Sequence, residues 1–264
     1  MATALSKTKA PAKKLPKKEE KKKETTVEFL ASLAVVLVVG LFIITFIVQA
    51  FEIPSSSMED TLLIGDHVFV NRIGFAPDSH YLGPLLPYHD PKDGDIVVFL
   101  SPAEPGLYVV KRVMGVPGDR IHLRDGIVYR NGQALNEQGY VLRNGSYNPY
   151  RDNFPAISAS DANSVTPEWR LTMSSHIQGE DLVVPPDRYF VMGDNRDVSY
   201  DSRYWGFVPR ENVIGRPLFI YWSFVESSGQ YLKRSAADRI GFIFHVIFHF
   251  FDQTRWGRML HIVR

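Results

Sequence analysis

Ile53-Pro54-Ser55-Ser56-Ser57-Met58-Glu59-Asp60-Thr61-Leu62 begins two residues after a long apolar run ends at Phe51. It holds three consecutive serines between a proline and a methionine. Taken alone it is a serine-rich turn. Two other stretches change its reading, Val109-Val110-Lys111-Arg112 and Gly193-Asp194-Asn195-Arg196-Asp197-Val198-Ser199. The first puts a lysine at the end of an apolar strand pattern. The second is a polar loop with a serine at its close.

Working outward, Phe29 to Phe51 carries no charged residue, and only Ser32, Thr45 and Gln49 interrupt its apolar side chains. At about 1.5 Å per helical residue such a run covers about 30 Å of hydrocarbon. The spacing predicts a transmembrane helix over 27–51. Val48-Gln49-Ala50 has the small-residue pattern of a leader cleavage site, but the apolar stretch exceeds the roughly 7–15 residues of a leader's core. Ahead of it, residues 1–26 are rich in Lys, Ala, Pro and Glu and read as a disordered basic tail. Positive charge before a first span holds that end in the cytoplasm. The expected topology is therefore single-pass in a cytoplasmic (inner) membrane, with the N-terminus cytoplasmic and the body outside.

The formal net charge of the 264 residues is +1. The tail's lysines mask a slightly acidic body, which argues against a nucleic-acid partner. The chain has no cysteine, so disulfides, thiolate metal sites and cysteine catalysis are excluded. From Thr61 onward the pattern is mostly β. Short apolar runs at Val68–Val70, Asp95–Phe99 and Leu107–Val110 are punctuated by Gly and Pro. Asp125-Gly126 and Asn131-Gly132 are tight-turn signals. Leu182–Val184, Tyr189–Met192 and Leu218–Phe224 return to strand. A small barrel or sandwich is expected, with catalytic β residues 52–121 and 182–226 interrupted by a peripheral β-rich insertion, 122–181. Residues 227–264 read as an amphipathic helical segment lying at a membrane surface. His245 and His249 share one face there, without a third ligand of clear spacing for a metal.

A serine nucleophile needs a base. None of the eight histidines stands in a recognisable arrangement with a serine, and no Gly-x-Ser-x-Gly elbow is present. A lysine serves if burial keeps its amine neutral. Lys111, after Tyr108-Val109-Val110, is a candidate; the plain alternative is a lysine that snorkels from a strand end.

The quoted boxes resolve the choice. Pro54-Ser55-Ser56-Ser57-Met58, Gly94-Asp95-Ile96-Val97-Val98-Phe99, Lys111-Arg112-Val113-Met114-Gly115-Val116-Pro117-Gly118-Asp119 and Gly193-Asp194-Asn195-Arg196-Asp197-Val198-Ser199-Tyr200-Asp201-Ser202-Arg203 resemble, in order, the signature boxes of bacterial type I signal peptidases. The resemblance covers about Phe29 to Phe224. It implies a signal-peptidase-like β fold and a serine endopeptidase that removes signal peptides from exported preproteins after small residues, Ala-x-Ala in type, without metal or organic cofactor. It implies Ser57 as nucleophile, Lys111 as general base, Ser199 as the residue orienting the amine, and an oxyanion hole from the Ser57 N–H and the Ser55 hydroxyl. Arg112, Asp194, Arg196, Asp201 and Arg203 become structural ion-pair partners. Phe51, Ile53, Met58, Leu62, Val109 and Val110 match positions lining the substrate pockets. Membrane lipid and a secretion translocon are the implied further partners. Asp60 stands where the family commonly has proline, and Val109 where an aromatic is frequent. Two rival readings stand beside this one: another Ser–Lys protease of the same fold, such as a specialised processor of pilus or conjugation proteins or an autoprotease, and a membrane-anchored β domain that only binds partners, which predicts no need for Ser57 and Lys111.

Overall fold

A computed structural model describes residues 25–75, 89–226, 229–230 and 235–264. The chain divides after Leu41 into two compact units. In the first, Thr26–Phe42 is an α-helix with no buried residue. A π-helical turn, Ile43–Ile47, opens the second. The helix expected over 27–51 is thus cut short, because Val48–Glu52 forms strand β1. It is held by antiparallel pairing with β2 (Asp66–Asn71), from Val48 opposite Asn71 to Glu52 opposite His67. Five residues gain a partnered ladder there that a helix end could not give them. Among the described residues no helix is long and apolar enough to cross a membrane. Most of the basic tail lies outside the described residues.

The other strands are β3 (Ile96–Leu100), β4 (Tyr108–Gly115), β5 (Arg120–Arg124), β6 (Ile127–Arg130), β7 (Gln133–Ala134), β8 (Ile177–Gln178), β9 (Asp181–Val183), β10 (Arg188–Met192), β11 (Val208–Pro209) and β12 (Val213–Ser223). The protein is mostly β, as expected. Seven strands form one sheet in the order β1-β2-β12-β3-β4-β10-β11, and five form a second, β7-β6-β5-β9-β8. The large sheet curls, so that β1 and β4 face each other again across β2, β12 and β3. The Phe51 and Tyr108 rings, one from each strand, meet edge to face with centroids 5.2 Å apart. Inside the curl Ile53, Met58, Leu62, Val68, Val70, Ile96, Val98 and Ile220 form one core.

The small sheet is built on the turns foreseen from sequence. Asp125 and Gly126 have φ of 50° and 80°, and Asn131 and Gly132 have 52° and 77°. Those are the left-handed pairs that two-residue hairpins require. The segment 122–181 is less peripheral than expected. Its Tyr150, Phe154, Val165, Trp169 and Met173 share a core with Met114, Phe190 and Met192 of the large sheet's strands. These buried residues come from irregular chain and short helices, which have no strand alternation to betray them.

The C-terminal helix spans Ala236–Gln253, capped by the Ser235 side chain and bent at His249. Ile240, Phe244, Ile247, Phe248 and Phe251 face solvent. Phe242 and His245 turn their rings toward Phe224 of the body. Among the described residues no group of His, Asp or Glu could hold a metal ion.

Candidate active site

Ser57 lies in a single 3-10 turn, Ser56–Met58, entered through extended Ser55. Pro54 fixes the approach, and Met58 buries itself in the core to pin the turn. In so short a turn the first N–H groups have no partner within it. The Ser55 and Ser57 hydroxyls are 3.3 Å apart. The turn is gripped from behind by the 193–199 loop: Asn195 N–H donates to the Ser57 carbonyl at 3.1 Å. Gly193 is required at that contact, since a Cβ there would collide with the Ser57 carbonyl oxygen and the Ser199 hydroxyl.

Lys111 comes from the middle of β4, where pairing of Val97 with Lys111 fixes its register. Its side chain is 2 % exposed. Its amine donates to Ser57 Oγ at 2.5 Å. Among the described residues no carboxylate forms an ion pair with it. Burial pulls the amine down from 10.5 to about 8, against the upward pull of the Asp201 and Asp194 charges.

Those two carboxylates are engaged elsewhere. Asp194 accepts from Arg112 Nε and Nη2, each at 2.8 Å, and from the Thr61 hydroxyl at 2.6 Å. Asp201 accepts from Arg203 Nε and Nη2, each at 2.8 Å, and from Gly193 N–H at 3.1 Å. Burial pushes the Asp201 carboxyl up. The Arg203 guanidinium and the bonds from Arg203, Ser199 and Gly193 outweigh it and hold the group below the usual carboxylate range. Arg196, also buried, is paired to Glu137 and donates to the Gly193 carbonyl at 3.2 Å. All five residues expected as ion-pair partners thus sit around the Gly193–Arg203 loop in closed pairs.

Ser199, within this loop, is buried and makes no hydrogen bond to the amine. Its hydroxyl accepts from Gly193 N–H at 3.1 Å, and no hydrogen bond joins it to Lys111. A cleft of about 110 Å³ opens beside Ser57. Phe51, Ile53, Met58, Val109 and Val110 line it as expected, joined by Leu107 and Tyr108. Leu62 does not; it is fully buried in the core, because the 58–62 turn points it inward.

These features come from stretches that two independent comparisons match. The family described as signal peptidase, peptidase S26, matches residues 26–222. The signal peptidase I of Buchnera aphidicola subsp. Baizongia pistaciae is 32% identical, over 83% of this chain and 84% of its own. The chain belongs to the signal peptidase family. It is a serine peptidase of the signal-peptide-processing class. The signal peptidase I of Pseudomonas fluorescens is likewise 32% identical, over 82% of this chain and 79% of its own. A crystal structure of a signal peptidase I from Enterococcus faecalis V583 is 33% identical and covers 48% of this chain and 97% of that one, with a TM-score of 0.32. In this signal peptidase chain, sequence reasoning missed Thr61, Glu137 and Asn195 around the site. Asn195 was inside a quoted box, but its part is played by a main-chain N–H, which no side-chain pattern encodes. Glu137 lies in the insertion, 59 positions from the Arg196 it pairs with.

Proposed function

We propose that this chain is a membrane-attached endopeptidase that removes signal peptides after small residues, using Ser57 as nucleophile and Lys111 as its base. The observation that carries the reading is the 2.5 Å contact between a buried, unpaired lysine amine and the hydroxyl of a serine in a tight turn. In the neutral form the amine lone pair accepts the Ser57 proton. Ser57 Oγ then bonds to the scissile carbonyl carbon, and the carbonyl oxygen takes the negative charge. The Ser57 N–H and the Ser55 hydroxyl would donate to that oxygen, an interaction worth about 3–4 kcal/mol for a single donor in other hydrolases. The protonated Lys111 gives its proton to the leaving amine as the C–N bond breaks. It next deprotonates a water that attacks the acyl ester, and returns that proton to Ser57. Ser199 acts at one remove. It supports Gly193 and Asp201, and through them the loop that fixes Ser57.

Specificity for small residues is supported by the cleft. Its volume is that of a few water molecules and its walls are apolar side chains, which suits methyl-sized groups. Residues 108–111 of β4 pair with β3, while β10 meets β4 only from Arg112 onward. Among the described residues β1 pairs with β2 alone. Two strand edges thus flank Ser57 and could hold an extended peptide by main-chain bonds.

Membrane attachment through the N-terminal apolar segment is supported by side chains exposed from Val27 to Ile44 with no charged residue after Glu28. The outward apolar stripe of the helix Ala236–Gln253 supports a second contact with lipid. The basic tail supports a cytoplasmic N-terminus, with the body from Ile53 onward outside the cytoplasmic membrane. The test is cleavage of a preprotein with an Ala-x-Ala site, in detergent, by the wild type and by Ser57→Ala and Lys111→Met. Cleavage lost in both variants is expected. Activity persisting in Lys111→Met would remove the proposed base.

A further inference from the structure

The family match ends at Trp222, yet residues well beyond it return to the catalytic turn. After the helix Ala236–Gln253 the chain doubles back along the edge of β12. Arg255 N–H donates to Ser223 O at 2.8 Å, Leu260 N–H to Ile220 O at 2.7 Å, and Val263 N–H to Leu218 O at 3.0 Å; Ile220 N–H answers to His261 O at 2.9 Å. This segment fills the side of β12 that β3 leaves open after Gly215. It inserts one apolar residue inward. Val263 is 3 % exposed and packs in the same core as Ile53, Met58 and Leu62, the core into which the Ser57 turn sets its Met58 side chain.

Its polar contacts aim at the same turn. Arg258 Nη2 donates to the Thr61 carbonyl at 3.0 Å and to Asp66 Oδ2 at 2.6 Å, and Arg258 Nε donates to Asp66 Oδ1 at 3.2 Å. Arg255 donates to the Ile64 carbonyl at 2.5 Å. The Arg264 carbonyl accepts from Arg112 Nη2 at 3.3 Å. Thr61 is thereby held twice: its carbonyl by Arg258, its hydroxyl by Asp194 of the loop that grips Ser57. Met58 and Leu62 belong to the core that Val263 completes. A 2.5 Å base–nucleophile contact tolerates little drift, and a misplacement of about 1 Å can cost about 100-fold in rate.

We propose that Thr254–Arg264 is a strap that sets the position of the nucleophile, with Arg258 and Val263 as positioning residues. The proposal rests on Ser57 being the nucleophile. Without the strap's two anchors the 53–66 segment would keep its strand ends, but the turn between them would lose its floor and its outer tie.

The test is steady-state cleavage of a signal-peptide substrate, with thermal unfolding alongside, for Arg258→Lys, Val263→Ala, Ile262→Ala and Ser57→Ala in the full chain. Arg258→Lys keeps a charge opposite Asp66 but loses the guanidinium fork that grips Asp66 while holding the Thr61 carbonyl. A kcat lower by about 10–100-fold, with KM within twofold, is expected for Arg258→Lys and Val263→Ala, assayed well below their unfolding temperatures. Ile262 lies on the strap's exposed side, and its alanine variant should keep full kcat. Arg258→Lys and Val263→Ala proteins that fold and retain kcat within twofold would overturn the strap. The same holds if their only change is in unfolding temperature, or if Ile262→Ala loses as much as they do. Should Arg258→Lys not fold, Val263→Ala decides alone. Ser57→Ala separates the two levels: activity surviving that substitution removes the nucleophile reading itself, whereas an inactive Ser57→Ala beside fully active strap variants removes the strap alone.

Discussion

Lys111 and Arg112 are neighbours in β4, and both are buried, at 2 % and 5 % exposure. Their surroundings treat charge in opposite ways. Arg112 faces a two-pronged carboxylate, Asp194, and lies over the Tyr140 ring at 4.2 Å. Lys111 faces a hydroxyl. The nearest carboxylates are already bound to Arg112 and Arg203. Next door, then, the fold satisfies an ion at full stoichiometry, and one residue earlier it withholds the counter-ion. Buried charge without a partner is costly. A lysine can escape that cost by giving up its proton, which an arginine cannot. The contrast explains why the two basic residues are not interchangeable. Arginine serves the pair that must stay charged, and lysine the position proposed to lose its charge.

The comparison can be broken in several places. The largest effect belongs to Lys111→Met, which should lower kcat/KM by more than about 1,000-fold with the fold intact, since it removes the proposed base of Ser57. Single-turnover cleavage assays would measure it. Next comes Arg112→Met. It leaves Asp194 buried with one hydroxyl and should cost about 3–5 kcal/mol, read from urea unfolding. Ser55→Ala should lower kcat by about 100-fold while KM stays near its wild-type value, because that hydroxyl is proposed to bind the oxyanion and not the ground state.

The smallest effect sharpens the comparison most. The fall of the Lys111 pKa from 10.5 to about 8 corresponds to about 3 kcal/mol. Burial depresses the folded pKa below the unfolded one, so the protonated form is what the fold penalises. The penalty is full below pH 8 and is relieved as pH rises from 8 to 10.5. Wild-type stability should therefore rise across that window from this residue. Lys111→Met should be more stable than wild type by about 2 kcal/mol at pH 7, and the gap should close by pH 10.5. Arg112→Met should show the opposite sign at pH 7. Chemical unfolding at the two pH values measures both.

Much of this was legible in the sequence. The Asp125-Gly126 and Asn131-Gly132 hairpins follow from the residues that tolerate positive φ. The strands around Lys111 follow from their apolar runs. The four boxes named the residues that meet around Ser57. Other parts were hidden for physical reasons. Apolar residues up to Phe51 look equally suited to a helix and to a strand, and only pairing with β2 tells that Val48 belongs to the sheet. Leu62 was expected in the pocket, but a one-residue change of direction in a turn decides between pocket and core. Ser199 was expected at the amine, but its hydroxyl accepts from Gly193 N–H and bonds to the Asp201 carboxylate. The strap has no motif. Its contacts are main-chain ladders, two arginines and one valine, all set by where the chain returns.

The most direct measurement is the titration of the Lys111 amine itself. Lysine-selective carbon-13 labelling at Cε, with the Lys111 signal assigned by its absence in Lys111→Met, reports the pKa by NMR. A midpoint near 8, separated from the exposed lysines, is the predicted result, and kcat/KM should rise tenfold per pH unit up to the same midpoint. A midpoint at 10.5, together with the surface lysines, would contradict the account. Lys111 would then be charged at the pH of catalysis and could not take the proton of Ser57.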